Sequence, residues 1–490
     1  MRREIARGAM WMVLFRLFDR AIGVVSTSML ARLLIPADFG LVAMAMSIIA
    51  LIDLATGFGF DIALIQKPDL RRAHYDTAWT LNVLMAAIGA LVTTLLAHPA
   101  ALFYGDERLV TVMIAIGAAW LISGFENIGI VNFRREMNFA AEFRFMATKR
   151  VIAFAITVAC AFAFRSYWAL VIGSAAGRVA GVALSYAMQR FRPRLSLACA
   201  RELFSFSGWL LANNVVSVLL SRVPHFVVGK VHGAQALGTY TVGSEISQLA
   251  HTELVAPINR ALFPGFARLA GDPEAFRRVC VEATAAVFSI VLPVTVGMVL
   301  LAGPFVRVLL GSQWGAAVPV IQILAAGGAF TAIAANNFAA YLGLGRPQLI
   351  TAVQLSRLGV FLAMVFVLGH GRGVIGVVLA ELIASITACA ISLSMLKMVM
   401  QLKLRSYGAN LWRPLLASGL MGLVLLRVGA WYPTDSEFGG ALLHLLLGSA
   451  VGALTYLATI SLLWLLSGRP LSFEATVVHK LWPSRIDATA

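Results

Sequence analysis

Met12-Val13-Leu14-Phe15-Arg16-Leu17-Phe18-Asp19-Arg20-Ala21-Ile22-Gly23 sets three charges into a run that is otherwise apolar, and its reading decides the fold. Apolar residues continue to Leu34, so the segment is long enough for a helix across a bilayer, for which about 20 residues suffice. Successive helical residues turn through about 100°, which puts Arg16, Asp19 and Arg20 on one side with Met12, Gly23 and Thr27. Trp11, Phe18, Ile22, Val25 and Met29 cover the other side. Facing lipid, each of these charges would cost about 2.5 to 3.5 kcal/mol near the helix centre. The stripe therefore faces protein or water, and it predicts a cavity through which a polar, anionic cargo crosses the membrane.

The rest of the chain supports a membrane setting. Its 490 residues are 60% hydrophobic and 13% charged, against roughly half and a quarter in soluble globular proteins. Apolar runs predict an all-α integral membrane protein with about 14 transmembrane helices, the first at 11–33 and the last at 440–466. Without water, backbone groups in runs of that length are satisfied only within helices. The net charge of +16 lies mostly in alternate short loops, among them Lys67, Arg71 and Arg72, then Arg134, Arg135, Arg144 and Lys149. This asymmetry predicts a membrane protein with both termini in the cytoplasm, and it accounts for the charge without nucleic acid. Cys160, Cys199, Cys280 and Cys389 are widely spaced and read as core residues, with neither a disulfide framework nor a metal spacing. Phosphate-loop, zinc-protease and nucleophile-elbow motifs are all lacking, so no catalytic residue, cofactor or metal is expected.

A weak internal repeat organises the spans. Pro36-Ala37-Asp38-Phe39-Gly40 recurs as Ala234-Gln235-Ala236-Leu237-Gly238, an offset of 198 residues. Two six-helix lobes in the same orientation are therefore expected, 1–200 and 201–400, with a cleft between them. Two additional helices over 401–466 and a cytoplasmic tail over 467–490 complete the expected division.

Polar side chains concentrate on the first two helices of each lobe. Asn214, Ser217, Ser221 and His225 share a side of the seventh span with Arg222 at its edge, while Thr241, Glu245, Gln248 and Thr252 run along the eighth. The substrate-binding candidates are Arg16, Arg20, Asn214, Ser221, Arg222 and Gln248. Asp19, Asp53, Glu245 and Glu253 are candidates for ion coupling or for structural pairing with the arginines. Each charge also has a plain structural reading, that of locking helices together; clustered intramembrane charges as a group more often mark a transport path. Arg178, Arg357, Glu126 and Glu381 are more isolated, and about half of them are expected to form ion pairs inside a lobe.

Ala31-Arg32-Leu33-Leu34-Ile35-Pro36-Ala37-Asp38-Phe39-Gly40, Phe133-Arg134-Arg135-Glu136-Met137-Asn138-Phe139 and Pro257-Ile258-Asn259-Arg260-Ala261-Leu262-Phe263-Pro264 resemble the Wzx-type lipid-linked oligosaccharide flippases. These belong to the multidrug/oligosaccharidyl-lipid/polysaccharide (MOP) exporter superfamily. The resemblance implies a V-shaped, alternating-access pair of lobes that moves undecaprenyl-pyrophosphate-linked repeat units across the bacterial cytoplasmic (inner) membrane for exopolysaccharide, capsule or O-antigen (lipopolysaccharide) assembly. It further implies coupling to H+ or Na+, contact with membrane lipids, and polysaccharide polymerase machinery as a partner. The other readings are a multidrug/cation antiporter of the same superfamily, a membrane-embedded sugar polymerase or glycosyltransferase, and a scaffold with no cargo.

Overall fold

The computed structural model describes residues 2–468, apart from 57, 68, 251–254, 256, 257, 260, 261, 263, 264, 267, 270, 370, 402, 403 and 430–437. Helices make up nearly all of the described chain, and no strand occurs among the described residues. Ten of these helices are long and apolar enough to cross a membrane, or eleven with one bent pair, against the expected fourteen. The shortfall has a local cause in α1 (Arg2–Leu33), whose charged stripe lowers its hydropathy. Another lies in α9 (Ala200–Ala250), where the expected seventh and eighth spans run together across Gly233, at φ 80°.

The chain divides into two compact units, Met1–Thr241 and Val242–Ala490. The first holds α1, α2 (Pro36–Thr56), α3 (Phe60–Gln66), α4 (Arg72–Tyr104), α5 (Arg108–Gly124), α6 (Val131–Arg135), α7 (Phe139–Phe164), α8 (Trp168–Met188) and most of α9. Pro36 opens α2 with a preset backbone angle, and Asp38 one turn on accepts from the Ile35 and Tyr167 amides at 3.2 and 3.1 Å. Asn138 caps α7 by accepting from the Ala141 amide at 3.2 Å. This cap starts the helix seven residues earlier than the apolar run suggests, so Arg144 and Lys149 are helical rather than loop residues.

The two copies of the repeated motif meet each other. A Cβ added at Gly40 would lie 1.7 Å from the Ala234 carbonyl oxygen, and one added at Gly238 would lie 1.7 Å from that of Pro36. Pro36 and Ala234 are themselves related by the repeat offset, so the contact is reciprocal, as an approximate twofold relation requires. Only glycine permits helices to approach so closely.

The extended segment 189–199 between α8 and α9 is fastened to the start of α4. Asp76 Oδ1 accepts from the Arg194 amide at 2.9 Å, Thr80 Oγ1 from Ser196 at 3.0 Å and Thr77 Oγ1 from Cys199 at 3.3 Å. Asp76 is buried, and Asp76→Ala is expected to cost about 1 to 3 kcal/mol, because a desolvated amide loses its acceptor. Thermal melting in detergent measures this loss.

Lys67 and His74 both bond Glu202 in the first turn of α9, and those hydrogen bonds hold its carboxyl below the usual carboxylate range. Cys199 lies beside this pair, bringing three metal-ligating groups together. The Arg71 amide donates to Nδ1 of His74 at 3.0 Å, so Nε2 carries the proton and is committed to Glu202. The cluster therefore reads as a clasp rather than a metal site. Cys280 and Cys389 are buried, whereas Cys160 and Cys199 are half-buried.

In the second unit, α10 (Pro273–Leu300), α11 (Ala302–Leu309), α12 (Ala317–Gly343), α13 (Gln348–Leu368), α14 (Gly373–Met400), α15 (Leu404–Gly429) and α16 (Phe438–Leu466) follow in order. Buried amides stitch it together: Asn336 Nδ2 donates to Thr284 Oγ1 at 2.8 Å and Asn337 Nδ2 to Ser392 Oγ at 3.1 Å. Arg357 of α13 faces Glu381 of α14 at 3.9 Å, and Tyr456 of α16 donates to the Ser289 carbonyl of α10 at 2.6 Å.

Candidate functional site

A cavity of about 740 Å³ lies inside the first unit. Its position follows from a break in the span that begins with α5. Hydropathy alone reads 109–131 as one helix, yet the chain bends by 65° between α5 and the segment Ile128–Arg135. Asn127 holds the bend from a fully buried position: its Oδ1 accepts from the Gly129 amide at 2.9 Å and its Nδ2 donates to the Phe191 carbonyl at 2.7 Å. Ser185 Oγ accepts from the Asn127 amide at 2.9 Å. Interrupted helices in membrane proteins are tolerated where they border protein or a polar cavity, and this one borders the cavity.

Five carboxylates and four cations line the space, and they are paired across elements. Asp19 of α1 meets Arg150 of α7 at 2.9 Å, and Glu126 in the break meets Lys149 of α7 at 2.9 Å. Arg134 of α6 bridges Glu142 at 2.5 Å and Asp61 at 3.6 Å. Arg178 of α8 donates to Ser123 Oγ at 3.1 Å and is attracted by Asp53 of α2. Pairing removes much of the desolvation penalty that each charge would carry alone among apolar helices. Phe15, Phe60, Trp120 and Phe145 supply apolar faces between the pairs.

The first helix contributes differently from its expected stripe. Phe15 and Asp19 face the cavity, while Arg16 is exposed and Arg20 half-buried, neither being among the lining residues. Phe143 of α7 sets this rotation by packing among Trp11, Phe15 and Phe18, with ring centroids 5.1, 6.3 and 6.0 Å away. On α9, Ser221 is exposed and Arg222 half-buried, and Ser221 Oγ donates back to the Val218 carbonyl at 2.9 Å. Glu245 and Gln248 are exposed further along the helix. The Asn214 side chain and Glu253 lie outside the described residues. The structure thus brings Asp19 and Asp53 into one cavity and leaves Arg16, Arg20, Ser221 and Arg222 off its lining.

Lys149 and Arg134 were missed as lining residues because they read as loop charges, and Arg150, inside an expected span, was not singled out. The signal was present in Asn138 and Glu142, a capping residue followed by an acid in the first turn of a helix. Glu126 and Arg178, read as isolated, are each drawn into the cavity's charge pairing.

The chain is thus a multi-pass helical protein with a charge-paired cavity among the helices of its first unit. The chain belongs to the polysaccharide biosynthesis protein family, whose match spans residues 29–319. It is 24% identical to the lipopolysaccharide biosynthesis protein WzxC of Escherichia coli (strain K12), over 87% of this chain and 89% of that protein. It is 23% identical to the teichuronic acid biosynthesis protein TuaB of Bacillus subtilis (strain 168), over 93% and 95% respectively. Among solved structures, the lipid II flippase MurJ in an inward closed conformation shares the fold at a TM-score of 0.74 and 13% identity, covering 93% of this chain and 99% of that one. An inward-facing multidrug resistance MATE family transporter of the MOP superfamily matches at a TM-score of 0.61 and 16% identity, over 78% and 94%.

Proposed function

We propose that this chain is a flippase that moves undecaprenyl-pyrophosphate-linked oligosaccharide repeat units across the cytoplasmic membrane for surface polysaccharide assembly. The observation that carries this reading is the cavity among the helices of the first unit with Arg134, Lys149, Arg150 and Arg178 in its wall. Its volume of about 740 Å³ falls within the range of ligand-binding cavities. A cargo with a charged head, a polar glycan and a lipid tail needs such a surface only for its polar part, because the tail stays soluble in the bilayer. The names of the relatives WzxC, TuaB and the succinoglycan biosynthesis transport protein ExoT of Rhizobium meliloti (strain 1021) point the same way.

In this reading the chain is a transporter rather than an enzyme, its termini are cytoplasmic and its lobes divide near residues 200 and 400. Arg16, Arg20, Asn214, Ser221, Arg222 and Gln248 remain candidate cargo contacts outside the described cavity. Asp53, Glu245 and Glu253 remain candidates for H+ or Na+ coupling. Depleting the protein in its host is expected to accumulate a lipid-linked oligosaccharide on the cytoplasmic leaflet, and purified protein in vesicles is expected to make that lipid accessible from the opposite leaflet. A depleted strain with normal surface polysaccharide and no accumulated intermediate overturns the reading.

The excess of carboxylates over cations in the cavity wall favours a second reading, efflux of organic cations. Proton-driven ethidium transport in the same vesicles, with no movement of the lipid-linked glycan, is the outcome that selects it.

A further inference from the structure

Helix α8 has 21 residues, so it is about 30 Å long and matches the hydrocarbon thickness of a bilayer. Tyr167 and Trp168, an aromatic pair of the kind found at membrane interfaces, stand at its start. Gln189, at its other end, therefore leaves the apolar layer at the opposite surface. Segment 189–199 begins there, and its bonds to Asp76, Thr77 and Thr80 hold it along the flank of α4. It lies at headgroup depth. An extended chain turns alternate side chains to opposite sides. Phe191 packs inward, 5.4 Å from the ring of Tyr75, while Arg190, Arg192 and Arg194 are exposed. Arg192 is engaged with the carbonyls of Gln189 and Phe191, at 2.7 and 3.1 Å. The side chains of Arg190 and Arg194 have no hydrogen-bond or ionic partner among the described residues. Of the carboxylates against the segment, Asp76 accepts from the Arg194 amide and Glu202 is held by Lys67 and His74. Leu195 and Leu197, next along, are 78% and 57% exposed.

We propose that segment 189–199 is a docking surface for anionic phospholipid, with Arg190 and Arg194 each bonding a headgroup phosphate and Leu195 and Leu197 lying against acyl chain. A leaflet presents many phosphates, so the two arginines do not have to converge on one of them. Charge and depth together select this occupant. A leaflet offers phosphate and hydrocarbon side by side, whereas a soluble polyanion would satisfy the arginines and leave both leucines in water. None of these residues lines the cavity, so the surface is independent of what the cavity carries. The inner side of the same segment supplies the Phe191 carbonyl that accepts from Asn127 at the bend after α5. Lipid docked on the outer side thus steadies a support of the cavity wall.

Native mass spectrometry of the full chain in neutral detergent, titrated with phosphatidylglycerol or phosphatidylcholine, counts the lipids retained. Phosphatidylglycerol is expected to bind in preference. An arginine at a charged membrane surface is worth about fivefold in affinity, so Arg190→Gln combined with Arg194→Gln should weaken phosphatidylglycerol binding about 25-fold. Arg190→Lys with Arg194→Lys should keep most of it, because the charge remains. Arg372→Gln, which removes an exposed arginine ahead of α14, should bind as the parent does. Leu195→Ser with Leu197→Ser keeps both arginines and is expected to weaken binding about tenfold. Undiminished retention in the glutamine pair overturns the proposal, or in the leucine pair should the glutamine variant fail to fold. Equal retention of phosphatidylcholine overturns it as well. Free glycerol phosphate that displaces the lipid at equal concentration shows a site for a soluble anion, and polyglutamate that binds and resists phosphatidylglycerol shows one for an acidic protein. Either result overturns the assignment to lipid.

Discussion

Gly40→Val is expected to leave almost no folded protein in the membrane, with a loss above about 3 kcal/mol, whereas Gly419→Ala is expected to fold as the parent does or slightly better. The Cβ at position 40 would lie 1.7 Å from the Ala234 carbonyl oxygen and 2.5 Å from its carbon, and both atoms belong to the backbone. A side chain can rotate away from such an intruder, but a helix must move as a whole. Because the contact is reciprocal, displacing α9 at Ala234 also disturbs the approach of Gly238 to Pro36. Gly419 faces open space, where an added methyl removes backbone freedom from the unfolded chain and clashes with nothing. Yield from membranes and melting in mild detergent read both variants. A Gly40→Val protein of normal yield and melting temperature would show that the two motifs do not pack as described.

The second large effect is expected at Asn127. Asn127→Ala should lower stability by about 1 to 3 kcal/mol and abolish transfer of lipid-linked glycan in vesicles. The side chain is fully buried and serves two backbone groups at once, the Gly129 amide and the Phe191 carbonyl. Alanine leaves the Gly129 amide desolvated and unpaired, leaves the Phe191 carbonyl with Arg192 as its donor at 3.1 Å, and loosens the bend that places Glu126 opposite Lys149. Asn127→Asp keeps the acceptor for Gly129 but turns a carboxylate oxygen toward the Phe191 carbonyl, so it should not rescue. A variant that melts like the parent and still transfers glycan would show that the bend is maintained by other contacts.

The apolar runs and the repeated motif were legible before any coordinates, and so was the presence of charge within the apolar runs. What the runs concealed was the interruption at 125–127, because Phe125 and Ile128–Val131 flank it with apolar residues that keep hydropathy high. The rotation of α1 was equally hidden. Periodicity grouped Arg16, Asp19 and Arg20 on one side, and packing against Phe143 then admitted Asp19 to the cavity while leaving Arg16 exposed.

The sequence by itself determined the solvent of this protein, because transfer of a helix into lipid is a sum over its own residues and needs no partner. The repeat marked Gly40 and Gly238 as equivalent, and only the coordinates showed that they pack against each other's motif. Tertiary structure alone decided which charge meets which: Lys149 finds Glu126 across 23 residues, and Asn127 finds Ser185 and Phe191 across 58 and 64. Those pairings depend on how several helices rotate and bend against one another, and that is a property of the packed assembly rather than of any single span.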